Sequence, residues 1–136
     1  MTGHAPIVLV VSANRRVRQL IAVRLGQIGC TALGAATHEE GFEYAGLTRL
    51  DVLIVDLSHR DALEGTLIRT LRVKRRHLKV IYLTGPVNPV VKSGVRATAA
   101  DFYLRKPFHL DELCDIVWAR SGDRAALVTF THLSLN

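Results

Sequence analysis

Asp51-Val52-Leu53-Ile54-Val55-Asp56 decides the fold: four aliphatic residues run without a break between two carboxylates. A strand with one wet face alternates apolar and polar residues. A run that does not alternate suits burial on both faces, as in a parallel sheet covered by helices on either side. Ile7-Val8-Leu9-Val10-Val11 has the same character and stops at Ser12-Ala13-Asn14. Between these runs, Val17, Leu20, Ile21, Leu25 and Ile28 recur at helical spacing and Gly29 supplies a stop. Residues 30–36 read as a short strand, and Thr37-His38-Glu39-Glu40 has capping-box spacing at the head of a helix reaching about Thr48. Downstream, Leu63, Leu67, Ile68 and Leu71 mark a helix, and residues 80–83 a fourth strand that breaks at Thr84-Gly85-Pro86. Val90, Val91 and Val95 suggest a short helix weakened by Gly94, residues 102–104 a fifth strand, and Leu110, Leu113 and Val117 a last helix to about Arg120. Five strand-helix repeats predict an α/β, doubly wound five-stranded parallel sheet with right-handed crossovers.

At 136 residues the chain suits one domain that buries about two-thirds of its unfolded surface. Its 49% hydrophobic and 22% charged content excludes wholesale disorder. The longest apolar run, residues 7–11, is far short of the roughly 18 residues a membrane span needs. Residues 1–6 lack the basic start of a secretory signal, so a cytoplasmic location is expected. Cys30 and Cys114 have neither metal nor redox spacing and are expected to be buried thiols. The domain is expected over residues 1–120, with residues 121–136 as a tail. Residues 127–133 of that tail are rich in strand formers, suited to an extra edge strand or to the start of a further region.

In a doubly wound sheet the chemistry gathers at the carboxyl ends of the strands. The first strand delivers Ser12, Ala13 and Asn14 there, the third Asp56, the fourth Thr84, and the fifth leads into Lys106-Pro107. One carboxylate, one hydroxyl and one ammonium converge, a set suited to holding a phosphoryl group.

With these residues in place, the sequence resembles the receiver domain of two-component response regulators, a flavodoxin-like fold, over residues 7–120. The resemblance rests on Asp51 to Asp56, on Leu83-Thr84-Gly85 and, most specifically, on Ala100-Asp101-Phe102-Tyr103-Leu104-Arg105-Lys106-Pro107-Phe108. It implies that Asp56 is the position that accepts a phosphoryl group from a histidine kinase and that Thr84 and Lys106 contact its oxygens. It also implies that Tyr103 is the switch aromatic and that Lys106-Pro107 is cis. The family ends its first strand with two acidic residues that hold Mg²⁺, and Ser12 and Ala13 stand there instead. What remains is Asp56 and the carbonyl of Ser58, a poor set for an ion that favours carboxylates in octahedral geometry. Weak or absent Mg²⁺ binding is expected, with no other cofactor. The loop Leu57-Ser58-His59-Arg60 also departs from the family pattern. Arg15 and Arg16 follow the altered positions directly and are candidates to replace the cation, because guanidinium binds carboxylate in bidentate fashion.

Lys and Arg number 18 against 12 Asp and Glu, for a net charge of +6. Arg72, Lys74, Arg75, Arg76 and Lys79 read as a solvated helix end, while Arg15, Arg16, Arg60, Arg105 and Lys106 are expected around the crevice. No helix-turn-helix signature accompanies them, so nucleic acid is not the expected partner. The expected function is an atypical receiver-like module, not an enzyme, that acts by protein-protein association with impaired phosphorylation at Asp56. Two alternatives are a working phosphoacceptor and a basic module that binds nucleic acid or an anionic ligand. Expected partners are a histidine kinase or an output protein. A weak homodimer is also expected, with Lys92, Arg96 and Arg105 facing Asp101, Asp111 and Asp115.

Overall fold

The β-branched runs become five strands: β1 (Ile7–Val11), β2 (Thr31–Ala35), β3 (Val52–Asp56), β4 (Lys79–Thr84) and β5 (Asp101–Arg105). The computed structural model describes residues 5–47, 49–57, 63–85 and 101–119. All strand pairs are parallel, in the order β2-β1-β3-β4-β5, as the unbroken apolar runs predict. The order reverses where β1 lies beside β3, with Val11 opposite Val55. Ser12 and Asp56, the next residues on each strand, therefore emerge side by side.

Successive residues of a strand face opposite sides. Val8, Val10, Val52, Ile54, Ile81 and Leu83 accordingly join one apolar cluster with helices α1 (Arg15–Gln27) and α4 (Leu110–Trp118). Leu9, Val11, Leu53, Val55, Val80 and Tyr82 join the other with α2 (His38–Phe42) and α3 (Leu63–Lys74). Asn14 caps α1 by accepting from the Val17 N–H at 3.1 Å, and Gly29 takes a φ of 93° just beyond its end. Thr37 caps α2 in the same way at 3.0 Å from the Glu40 N–H.

The helix expected to reach Thr48 is shorter. It gives way at Glu43 to a 3-10 turn, Glu43–Gly46. The helix carries a glycine where it must approach α3: a Cβ on Gly41 would meet Leu67 Cδ2 at 3.0 Å. That close packing comes at a cost in helix propensity. The helix expected near Val90, the loop at Ser58 to Arg60 and the tail from residue 121 lie outside the described residues.

The basic run from the last turn of α3 to the start of β4 also departs from expectation. Lys74 and Arg76 are exposed. Arg72 Nη2 donates to the Leu78 carbonyl at 3.0 Å and to Asp101 Oδ1 at 2.7 Å, and Asp101 is buried. Arg75 donates to the carbonyls of Ala45, at 3.2 Å, and Leu47. Lys79 is the first residue of β4 rather than part of a helix end, and it is buried. Its ammonium donates to the carbonyls of Ile116 (2.7 Å), Val117 (3.2 Å) and Ala119 and lies 5.6 Å from the centre of the Phe102 ring. It thus serves carbonyls at the end of α4, including that of Ile116, which also accepts from the Ala119 N–H at 3.2 Å.

Burial lowers the Lys79 pKa from 10.5 to about 8. Between these values the unfolded chain binds more protons than the folded one, so this group makes stability rise with pH across that window. Lys79→Met should remove that slope from urea-unfolding curves recorded at successive pH values.

Candidate functional site

Asp56 ends β3 with its carboxylate nearly out of solvent. Lys106 Nζ donates to its Oδ1 at 2.9 Å, and the Ser12 hydroxyl donates to its Oδ2 at 2.9 Å. Ser12 is itself buried and held on several sides. The Asn14 N–H donates to Ser12 Oγ at 3.1 Å, and Arg18 Nη1 donates to the Ser12 carbonyl at 2.7 Å. The single hydroxyl proton could face the Asn14 carbonyl at 3.4 Å or Asp56 at 2.9 Å. The shorter bond to the charged acceptor is the stronger. A polarised relay therefore runs from the Asn14 N–H through Ser12 to the carboxylate.

Lys106 reaches the site because its own N–H donates to the Thr84 carbonyl at 2.8 Å, fastening the chain after β5 to the end of β4. The Lys106-Pro107 bond is cis. Thr84 is buried at the same sheet edge, the last residue of β4 and in register with Arg105. The structure thus brings Ser12, Asp56, Thr84 and Lys106 to one edge. Tyr103 lies farther back on β5, half-buried, its ring stacked on Tyr82 at 4.7 Å between centroids and 13° between planes.

Arg15 and Arg16 do not take the expected place of the cation. Both are exposed on the first turn of α1, and among the described residues the ion pair of Asp56 is with Lys106. The helix turns its inner side to the sheet only from Val17 onward, and Arg18 grips a backbone carbonyl rather than the carboxylate. Ser12, read from sequence only as a lost metal ligand, proves to be a direct partner of Asp56. The signal available was adjacency: parallel β1 and β3 in equal register place their next residues together.

Among the described residues, the donor set is a poor match for Mg²⁺. Ala13 offers no side-chain oxygen and Ser12 offers a neutral one, while an ammonium lies 2.9 Å from one oxygen of the remaining carboxylate. The charge arrangement expected for a homodimer also changes. The Asp101 side chain is fully buried against Arg72, and Asp111 pairs with Arg24 at 2.5 Å, so Asp101 is closed to a second chain; Lys92 and Arg96 lie outside the described residues.

A doubly wound parallel sheet that presents a carboxylate, a hydroxyl and a lysine at its switch point defines a receiver-type signalling module. Residues 8–118 match the model of the response regulator receiver domain, and the chain belongs to that family, the receivers of two-component signalling systems. It is 29% identical over 106 residues to the cell cycle transcriptional regulator CtrA of Caulobacter vibrioides, covering 78% of this chain and 46% of that one. The chain spans about half the length of the curated relatives it matches. A receiver protein from Pseudomonas putida superposes with a TM-score of 0.66 at 30% identity, covering 85% of this chain and 98% of that one. The receiver domain protein from Clostridium thermocellum gives a TM-score of 0.66 at 23% identity, covering 94% and 98%.

Ser12 and Asp56 should be energetically coupled. A double-mutant cycle of Ser12→Ala and Asp56→Ala, read by chemical denaturation, should return a coupling of about 1–2 kcal/mol, as for a buried hydrogen bond to a charged group.

Proposed function

We propose that this receiver works by protein association from a single conformation and that Asp56 serves as a structural anchor rather than a metal-dependent phosphoacceptor. The observation that carries this reading is the engagement of both Asp56 oxygens, one by Lys106 and one by the Ser12 hydroxyl that stands where the family has an acid. A carboxylate attacking an anionic phosphoryl donor needs cationic help at the reacting oxygens. Here Lys106 is the cation in place, and Mg²⁺ binding is weak or absent. The module is not an enzyme and acts in the cytoplasm. Its partners are proteins, a histidine kinase or an output protein, together with a weak homodimer. Nucleic acid is not a partner: Arg72, Arg75 and Lys79 are committed to contacts within the chain. The retention of Asp56, Thr84 and Lys106 at one edge supports a second reading, in which Asp56 is a working phosphoacceptor and Tyr103 the switch.

Incubation with a small phosphodonor and Mg²⁺, followed by intact-mass analysis, separates the two. No adduct is expected on the natural chain, and Ser12→Asp with Ala13→Asp should restore labelling. A stoichiometric adduct that disappears in Asp56→Asn would establish the second reading and overturn the first.

A further inference from the structure

Every polar group of Ser12 is engaged, and its carbonyl is engaged by a side chain from the flank of α1. The Ser12 N–H donates to the Ala35 carbonyl at 3.0 Å, and Oγ accepts from the Asn14 N–H and donates to Asp56. The carbonyl accepts from Arg18 Nη1 at 2.7 Å. Ser12 is 2% exposed, so solvent is no ready substitute for that donor. Among the described residues Arg18 has no carboxylate partner, and its charge is directed at this carbonyl.

An independent feature of β2 points the same way. Gly34 lies inside that strand, where glycine is disfavoured, and its φ is not positive, so the backbone there does not call for glycine. What Gly34 supplies is space. A Cβ on it would stand 3.3 Å from Arg18 Cδ, 3.4 Å from Cγ and 3.7 Å from Nε. The arginine stem therefore lies across the edge strand, and the missing side chain lets the guanidinium pass from α1 over β2 to the end of β1.

We propose that Arg18 is the positioning residue of the site: it fixes the Ser12–Ala13 peptide, and through it the hydroxyl that donates to Asp56, with Gly34 as the gap it reaches through. The bond from the Asn14 N–H to Ser12 Oγ closes a local turn, and that turn requires one setting of the peptide planes between the two residues. A charge-assisted bond to the Ser12 carbonyl holds the setting. Without it, the Ser12–Ala13 plane turns its buried carbonyl toward water, which takes the Asn14 N–H off Oγ and the hydroxyl off Asp56. The turn after β1 is thus set by an arginine of this chain, which acts on Asp56 through Ser12. This inference rests on reading Asp56 as a structural anchor. Phosphodonor labelling decides that reading, whereas the hold of Arg18 is measured with no phosphodonor present, so the two can fail separately.

The test is hydrogen exchange at the Asn14 amide, measured by NMR on the full chain, together with the Ser12–Asp56 double-mutant cycle. Arg18→Met keeps the stem and removes the donor. Asn14 exchange should quicken about tenfold or more, and the Ser12–Asp56 coupling measured in that background should fall by about half or more. Arg18→Lys restores a charged donor and should recover part of both. Gly34→Val raises strand propensity at an exposed position, yet it should quicken Asn14 exchange as Arg18→Met does and add nothing once Arg18 is gone. Adding Mg²⁺ or a chelator should leave Asn14 exchange in the natural chain unchanged. Circular dichroism checks that every variant is folded, and Gly34→Ala, a smaller intrusion on the same stem, replaces any that is not. Native exchange and native coupling in Arg18→Met would overturn the proposal. A Gly34→Val effect that persists undiminished without Arg18, or an Asn14 amide that responds to Mg²⁺, would overturn it equally.

Discussion

A parallel sheet buried on both faces leaves no place for an uncompensated polar side chain except at the strand ends. Among the described residues, five of the six buried polar or charged ones obey this rule: Ser12, Asp56 and Thr84 at the carboxyl edge, and Lys79 and Asp101 at the opposite edge. An unpaired buried polar group costs about 1–3 kcal/mol, so each edge organises its own network. At the carboxyl edge, Ser12 and Lys106 hold Asp56. At the other, Arg72 holds Asp101, and Lys79 closes the carbonyl end of α4. The edges differ in what they connect. The first ties strand ends and loops together around a carboxylate, and the second ties helices α3 and α4 to the sheet.

The architecture was legible because apolar periodicity is a local signal. Unbroken runs at residues 7–11 and 52–55 imply burial on both sides, and that implies parallel pairing. The site residues were legible one by one, since Asp56, Thr84 and Lys106 terminate or follow recognisable strands. Their partnerships were not. Whether Asp56 meets Ser12, Arg15 or Arg16 depends on strand register and on which turn of α1 faces the sheet, and residues 44 positions apart carry no mutual signal in a single sequence. Lys79 failed for a related reason. It closes a run of cations whose other members lie on or just after a helix end, and only its place as the first residue of β4 sets it apart.

The charge of the chain has a different meaning once the contacts are known. Three of the five cations in the run from the last turn of α3 to the start of β4 serve the interior, donating to carbonyls or to a buried carboxylate. A high net charge counted from composition therefore overstates the positive surface at that end of the molecule. Elsewhere the exposed charge is divided between two neighbouring helices: α1 carries arginines and no acid, and α4 exposes Asp111 and Asp115.

The stacked pair Tyr82 and Tyr103 sets a resting population for any motion of the fifth-strand aromatic. Tyr82 is almost wholly buried, so it is a fixed platform, and the neighbouring ring lies nearly parallel upon it. Such a stack contributes about 0.5–1.5 kcal/mol beyond its buried area. Swinging Tyr103 away forfeits that contribution, which alone makes the displaced rotamer roughly two- to tenfold rarer unless new contacts repay the loss. The platform thus acts as a thermodynamic detent: a signal that moves this ring must supply differential binding energy on that scale before the conformer shift becomes visible.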